Sequence, residues 1–480
     1  MIPATRMLAV VASITLIIPI CAFGPPSSTN DPRGVDTDFI VTAAPIYQLL
    51  AALRGGERFP KGAQLLLVHG GKASLLLDGF AASADANISF DGKRVLFSGK
   101  EAATDPWQIW ELTLEDHSLR KVISGSGDAI RPFYLPAGRL VYARKGAQGF
   151  QLEAAGSDSP DAFALIDADA ESTLLPLSYL PGSAIPEDVL RDGRILFESG
   201  YPLGTGSTPE LFLVYSDGSG VESYRCDHGQ ARWGGKQLAS GDVVFTHGTS
   251  LARFTSPLAT EAHIVAPRAE YAGAIVETVA GDWLVSERAG AGAHYELRLL
   301  KKATPSNSIP AALESVLAQT GQDLVDPVLI APRQRPNRHP SGLHDWGYAN
   351  MLALDARQSR QGDLKVTPAS VRLETLNANG HAFVTGMAPV EADGSFFVKT
   401  PADRPIRFAL LDSKGAIVRQ EHCWFWIRRG EQRICVGCHT GPERSSENRV
   451  PSVLLRTTTP ADLSNLSAPG RALNPASRGN

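Results

Sequence analysis

The sequence predicts a mainly β protein: an N-terminal β-propeller of six or seven blades over residues 40–330, followed by a small β-sandwich-like domain. Three observations carry this. A phrase of turn plus apolar strand recurs along the first two thirds of the chain. Glycine and proline are frequent, at 45 and 33 of 480 residues, while 43% of residues are hydrophobic, so turns are many and real cores can form. Beyond residue 340, short strand-like runs continue with turns between them but without the repeat.

The repeated phrase is clearest as Asp91-Gly92-Lys93-Arg94-Val95-Leu96-Phe97, Ala137-Gly138-Arg139-Leu140-Val141-Tyr142 and Asp192-Gly193-Arg194-Ile195-Leu196-Phe197. Weaker copies are Gly241-Asp242-Val243-Val244-Phe245 and Gly281-Asp282-Trp283-Leu284-Val285. The turn glycines at 92, 138, 193, 241 and 281 are 46, 55, 48 and 40 residues apart. A period of that size with several strands per repeat is the mark of a propeller. The Asp-Gly or Ala-Gly pair fits a tight hairpin turn, where glycine accepts positive φ. The apolar run after it fits an inner strand buried between neighbouring blades. Gln64–Val68 and Ala73–Leu77 fit the first or closing blade. Two β-sandwiches would also space strands evenly. The repeats resemble the Asp-Gly-Lys repeats of TolB-like propellers.

Residues 1–24 read as an export signal: Arg6, then the uncharged run Met7–Cys21, then Gly24-Pro25-Pro26-Ser27. The run is short for a spanning helix, and cleavage is expected, with an uncleaved anchor as the alternative. Cys21 raises lipid attachment, but Ile20 before it is too large for that pattern. With no further long apolar stretch, the processed protein is expected without a membrane span, in the periplasm or an equivalent exported compartment. A formal net charge of -4 lacks the basic footprint of a nucleic-acid binder.

Between the repeats and the second domain, Ala311–Ala318 has the look of a helix, and the Pro- and Arg-rich junction Ala331–Pro340 marks the boundary. The second domain is placed at 331–456, with strands at Ser370–Leu376, Gly394–Lys399 and Ile406–Leu411. The polar segment 457–480 is expected to be a disordered tail.

Chemistry concentrates at Cys435-Val436-Gly437-Cys438-His439, a Cys-x-x-Cys-His sequence. This is the attachment motif of haem c: two thiols add to the haem vinyl groups and the next imidazole is the proximal iron ligand. The signal strengthens it, because covalent haem attachment takes place outside the cytoplasmic membrane. Alternatives remain. Cys435 and Cys438 could form a redox disulfide, although no βαβ context surrounds them. They could bind zinc together with Cys423 and either His422 or His439. For the sixth iron position His422 is nearest in sequence, with Met351, Met387, His339, His344 and His381 further off, or the position is open. Trp424-Phe425-Trp426 suits either a haem face or the sandwich core. Arg428, Arg429, Arg433 and Arg444 are candidates for haem propionates. His228 and His247 read as ordinary satisfied residues, and Cys226 could pair with Cys423.

The stretch Pro332–Pro451 resembles the middle domain of the hydrazine synthase alpha subunit. The resemblance rests on Arg335-Pro336-Asn337-Arg338-His339-Pro340-Ser341, Gly347–Ala356, Glu391-Ala392-Asp393-Gly394-Ser395-Phe396 and Trp426–Arg433 leading into the haem motif. It implies a propeller followed by a haem-bearing domain, and a redox role with a redox partner protein. Hydrazine synthase carries a further haem domain and a tyrosine at the iron four residues past the motif histidine. Here no second Cys-x-x-Cys-His follows and that position is Glu443. The expectation is therefore a monohaem electron-transfer protein or redox enzyme subunit, not hydrazine synthesis. The alternative is an envelope binding or scaffolding propeller whose haem or zinc is structural.

Overall fold

The computed structural model describes residues 35, 37–136, 138–156, 174–200, 208–225, 227–256, 259–264, 269–273, 275–301, 313–359, 362–366, 368–437 and 448–466. Among these residues, six antiparallel sheets follow one another in a ring. Blade 2 is Ala82–Ile88, Arg94–Lys100, Gln108–Thr113 and Leu119–Ile123. Blade 3 is Ala129–Leu135, Arg139–Gly146, Gly149–Ala155 and Leu175–Pro176, and blade 4 is Ala184–Val189, Ile195–Ser199, Glu210–Val214 and Glu222–Ser223. Blade 5 runs from Arg232 to His263, and blade 6 from Glu270 to Leu317. Blade 1 closes the ring: its innermost strand, Asp323–Leu329, comes from the propeller's C-terminal end and pairs with Phe39–Ala44. Gln64–His69 and Lys72–Leu75 complete that blade, as their sequence suggested.

The recurring phrase has a packing cause. Phe97, Tyr142, Phe197 and Phe245 end successive copies and are all fully buried. Each lies on a blade's second strand, where neighbouring blades cover both faces, so alternation is lost over the apolar run that the aromatic residue ends. The glycines opening the phrase all have positive φ, as the hairpin requires. Gly193 meets a second constraint, because a Cβ there would run into the Asn337 carbonyl oxygen of the interdomain linker, whereas at Gly241 the nearest atom is 3.8 Å away. Gly193→Ala is therefore expected to lose more stability than Gly241→Ala. Both incur left-handed strain of about 1–2 kcal/mol, and only the first also displaces the linker. Urea denaturation of the two variants checks the order.

The innermost strands break register at a common place. Asp85, Arg131 and Asp326 have φ of 61°, 53° and 51°, and the ladders shift there. Each bulge turns a charged side chain into the central channel. The charges are paired: Arg131 bonds Glu187 at 2.8 Å and Asp326 at 3.2 Å, and Arg58 bonds Asp85 and Asp326. Glu198 shares this region, and its Oε2 lacks a hydrogen-bond partner. Burial pushes its carboxyl up to about 7, opposed by Arg131 and Arg58. A raised acid contributes stability below the ordinary carboxylate pKa and loses it as pH rises through the folded value. Unfolding free energy should thus fall between about pH 5 and 8, by on the order of 1–3 kcal/mol. Glu198→Gln should flatten that slope in denaturation series.

The C-terminal domain is a sandwich of two four-stranded sheets. One holds Ala349–Ala353, Phe396–Thr400, Gln432–Cys435 and Ala461–Asp462, and the other Ser370–Leu376, Ala382–Pro389, Ile406–Leu411 and Ile417–Gln420. Val371, Leu373, Phe396, Val398, Phe408 and Leu410 fill the space between them.

Two expectations are corrected. Leu313–Leu317 is a strand, not part of a helix, and pairs with Glu296–Leu300 at the outer edge of blade 6. The open ladder of that blade outweighs a local helical pattern, and Val316 is buried by it. The segment after Thr457 does not begin as a loose tail: Ala461–Asp462 pairs with the Phe396–Thr400 strand and Leu463 enters the sandwich core. The signal segment 1–24 and residues 467–480 lie outside the described residues.

Candidate functional site

One segment, residues 421–436, links the site to both domains. Its aromatic triplet alternates. Phe425 exchanges backbone hydrogen bonds with Ile406 and packs between the sandwich core and the blade 3–4 core. Trp426 points the other way, fully buried among Leu135, Val141, Phe197, Phe212 and other residues of blades 3 and 4. Its indole Nε1 donates to the Gly218 carbonyl at 2.9 Å. Trp426 therefore fills the propeller's side of the domain seam, which neither sequence reading of the triplet anticipated. Trp424 is buried too, under the Arg407 guanidinium at 4.6 Å.

Two of the arginines proposed for propionates, Arg428 and Arg433, hold this seam. Arg428 donates to the Asp217 carbonyl at 3.1 Å and to Asp403 at 2.7 Å, and it also meets the Tyr179 hydroxyl. Arg433 donates to the carbonyls of Trp426 and Val221. Arg429 lies 3.6 Å from Asp403, and Arg444 is outside the described residues. Glu431 accepts from the backbone N–H groups of Arg428 and Gly220. Together these bonds lock the blade 4 turn at 215–221 against the strand that carries Cys435.

That strand, Gln432–Cys435, runs parallel to Ala349–Ala353 at the edge of its sheet. Backbone bonds from Leu354 to Cys435 and from Asp355 to Val436, at 2.9 and 3.0 Å, hold the chain up to the motif's second residue. Cys435 packs partly on the sandwich core. Burial pushes its thiol pKa up, with Arg433 opposing. A raised pKa is the reverse of what a reactive redox-disulfide cysteine needs. Beside it Ile434 is 65% exposed, and past the 438–447 stretch Val450 is 59% exposed. Cys438 and His439 lie outside the described residues.

The remaining candidates scatter. Met351 is buried in the sandwich core, whereas Met387 is exposed. His339 stacks on Tyr215 at 3.8 Å and His344 on Trp346 at 4.3 Å. His381 lies at the turn between Ser370–Leu376 and Ala382–Pro389. His422 stacks on His228 of the propeller, with ring centroids 5.1 Å apart. Cys423 packs against the blade 3–4 core while Cys435 packs against the sandwich core, so the two cysteines considered together as zinc ligands face different cores. Cys226, considered as a disulfide partner, is outside the described residues. His228 and His247 are satisfied by carboxylates, Glu210 and Glu261, and each has a third donor close by.

Two features escaped sequence reasoning. Glu210 sits beside Cys423, 213 positions away in the chain, and no local pattern announces that contact. The channel charges did leave a signal: Asp85, Arg131 and Glu187 precede the turn glycines 92, 138 and 193 by a nearly constant offset in otherwise apolar strands.

Among the described residues, the chain is a six-bladed propeller joined to a β-sandwich of two four-stranded sheets. Residues 352–440 match the family described as hydrazine synthase alpha subunit middle domain. Hydrazine synthase subunit alpha of Kuenenia stuttgartiensis is 38% identical over 61 residues, which is 13% of this chain and 8% of that protein's length. The solved hydrazine synthase from Kuenenia stuttgartiensis superposes with a TM-score of 0.71 at 16% identity, covering 88% of this chain and 71% of that one. It thus shares the fold across both domains. A TolB structure from Agrobacterium tumefaciens gives a TM-score of 0.38 at 12% identity over 58% of this chain and 88% of its own.

Proposed function

We propose that this is an exported monohaem c-type protein, acting in electron transfer or as a redox enzyme subunit. The observation that carries the reading is Cys435-x-x-Cys438-His439 inside the stretch that matches the hydrazine synthase alpha middle domain. The described residues fit a haem: Cys435 is fixed by sheet pairing, burial raises its thiol pKa, and apolar Ile434 stands exposed next to it. Cys435 and Cys438 would hold the group through thioethers and His439 would ligate the iron. Haem bound in this way supplies a one-electron redox centre.

The chain's own part is positional. Arg433 and Trp426 tie the Cys435 strand to blade 4, so a partner docking on the propeller meets Cys435 held in fixed relation to it. Export follows from the Arg6 and Met7–Cys21 signal, and no helix among the described residues is long and apolar enough to cross a membrane. A denaturing gel stained for haem peroxidase activity tests attachment. Protein made with a cytochrome c maturation system should stain, and Cys435→Ala, Cys438→Ala should lose the stain while folding. An unstained parent protein would overturn the reading.

A further inference from the structure

We propose that Glu210, His228 and Cys423 form a second metal site, for a zinc-type divalent ion, at the seam between blade 4 and the C-terminal domain. Glu210 opens the third strand of blade 4, and His228 lies on the link to blade 5. Cys423 comes from the C-terminal domain, 195 and 213 positions from His228 and Glu210. The three donors converge: His228 Nδ1 is 2.7 Å from Glu210 Oε2 and 3.2 Å from Cys423 Sγ, and Sγ is 4.0 Å from Oε2. Zinc bonds of roughly 2.0–2.3 Å in a tetrahedron put ligand atoms roughly 3.3–3.6 Å apart. The observed triangle brackets that spacing and needs only sub-ångström adjustment.

Donor chemistry and surroundings select the ion. One imidazole, one carboxylate and one thiol make a borderline-soft set that suits zinc rather than magnesium or calcium. The side chains of His228 and Glu210 are only 6% and 14% exposed. Glu210 Oε1 accepts the Gly229 backbone N–H at 2.7 Å, which orients the carboxylate and leaves Oε2 aimed at the cluster. Among the described residues, the His422 ring stacked on His228 is a further imidazole that could complete the set, with water as the other fourth ligand. The second such cluster, His247, Glu261 and His263, makes the contrast. There the Arg232 guanidinium already bonds Glu261 at 2.7 and 2.9 Å, and His263 is exposed. A fixed cation occupies the carboxylate that a metal would need.

The site is independent of the haem reading. Its ion would pin Cys423, three residues before Trp426, and so clamp the C-terminal domain onto the propeller. The test is metal content of the full-length protein by mass spectrometry, after zinc loading and dialysis, with the folded state followed by circular dichroism. Cys435→Ala, Cys438→Ala should keep about one zinc per chain. Adding His228→Ala or Cys423→Ser should bring it below about 0.1, whereas His263→Ala should leave it unchanged. If the ligand variants do not fold, cobalt replaces zinc in the Cys435→Ala, Cys438→Ala protein. An intense thiolate-to-cobalt charge-transfer band is then expected. Absence of bound zinc and of that band would overturn the proposal. So would zinc that persists without His228 and Cys423, or that disappears with Cys435 and Cys438.

Discussion

Trp426→Ala should destabilise the protein by about 3–5 kcal/mol. The indole is fully buried, and its neighbours belong to a rigid ring of blades that cannot collapse into the space it leaves. Its ring lies 6.3 Å from Phe197 and 6.1 Å from Tyr179, centroid to centroid, so aromatic contacts on two sides go with it. Removing it also leaves the Gly218 carbonyl without its 2.9 Å donor. Trp426→Phe separates the terms: it keeps most of the volume, loses the hydrogen bond, and should cost about 1–2 kcal/mol. Because Trp426 spans the seam, the alanine variant should also make the linker near residues 331–340 more sensitive to limited proteolysis. Urea denaturation and a proteolysis time course measure both effects. An alanine variant as stable as its parent would mean the seam is not packed as described.

Arg131→Met should cost about 3–5 kcal/mol at neutral pH. Methionine roughly fills the volume, so the loss is electrostatic rather than a cavity. Arg131 faces Glu187 and Asp326 at the channel wall with ion pairs of 2.8 and 3.2 Å. It opposes the burial that pushes the Glu187 carboxyl well above the usual range, and with Arg58 it holds Asp326 below that range. Without it those groups are desolvated with only Arg58 nearby, which already serves Asp85 and Asp326. Their folded pKa values would rise, so the variant's deficit should shrink as pH falls and grow as pH rises. Denaturation of parent and variant at several pH values reads this directly. A deficit independent of pH would assign the effect to packing instead.

Much of the propeller was legible because a single physical demand repeats. Each blade needs a tight turn and then a strand buried on both faces, and Gly92 with Phe97, Gly138 with Tyr142 and Gly193 with Phe197 write that demand into the chain. The ring closure was not written there, since Asp323–Leu329 pairing with Phe39–Ala44 is a long-range choice without a local signature. Leu313–Leu317 misled for the opposite reason: its helical spacing is local, and the open edge of blade 6 decided otherwise. At the site, Cys435, Cys438 and His439 stand out because the proposed haem attachment has a fixed spacing along the chain. The seam could not, because Trp426, Arg428 and Arg433 meet partners that are close only once both domains have folded. His422 illustrates the limit: sequence placed it near the motif, and the fold stacks it on His228 of the propeller.

The absorption spectrum of dithionite-reduced protein, produced with a cytochrome c maturation system and recorded with and without carbon monoxide, tests the central claim most directly. A thioether-bound haem spectrum is expected, resistant to acid-acetone extraction and absent from the Cys435→Ala, Cys438→Ala variant. A spectrum unmoved by carbon monoxide assigns an electron carrier with both axial positions filled, and one that shifts assigns an open iron site suited to an enzyme subunit. Protein that matures without any covalent haem would contradict the account.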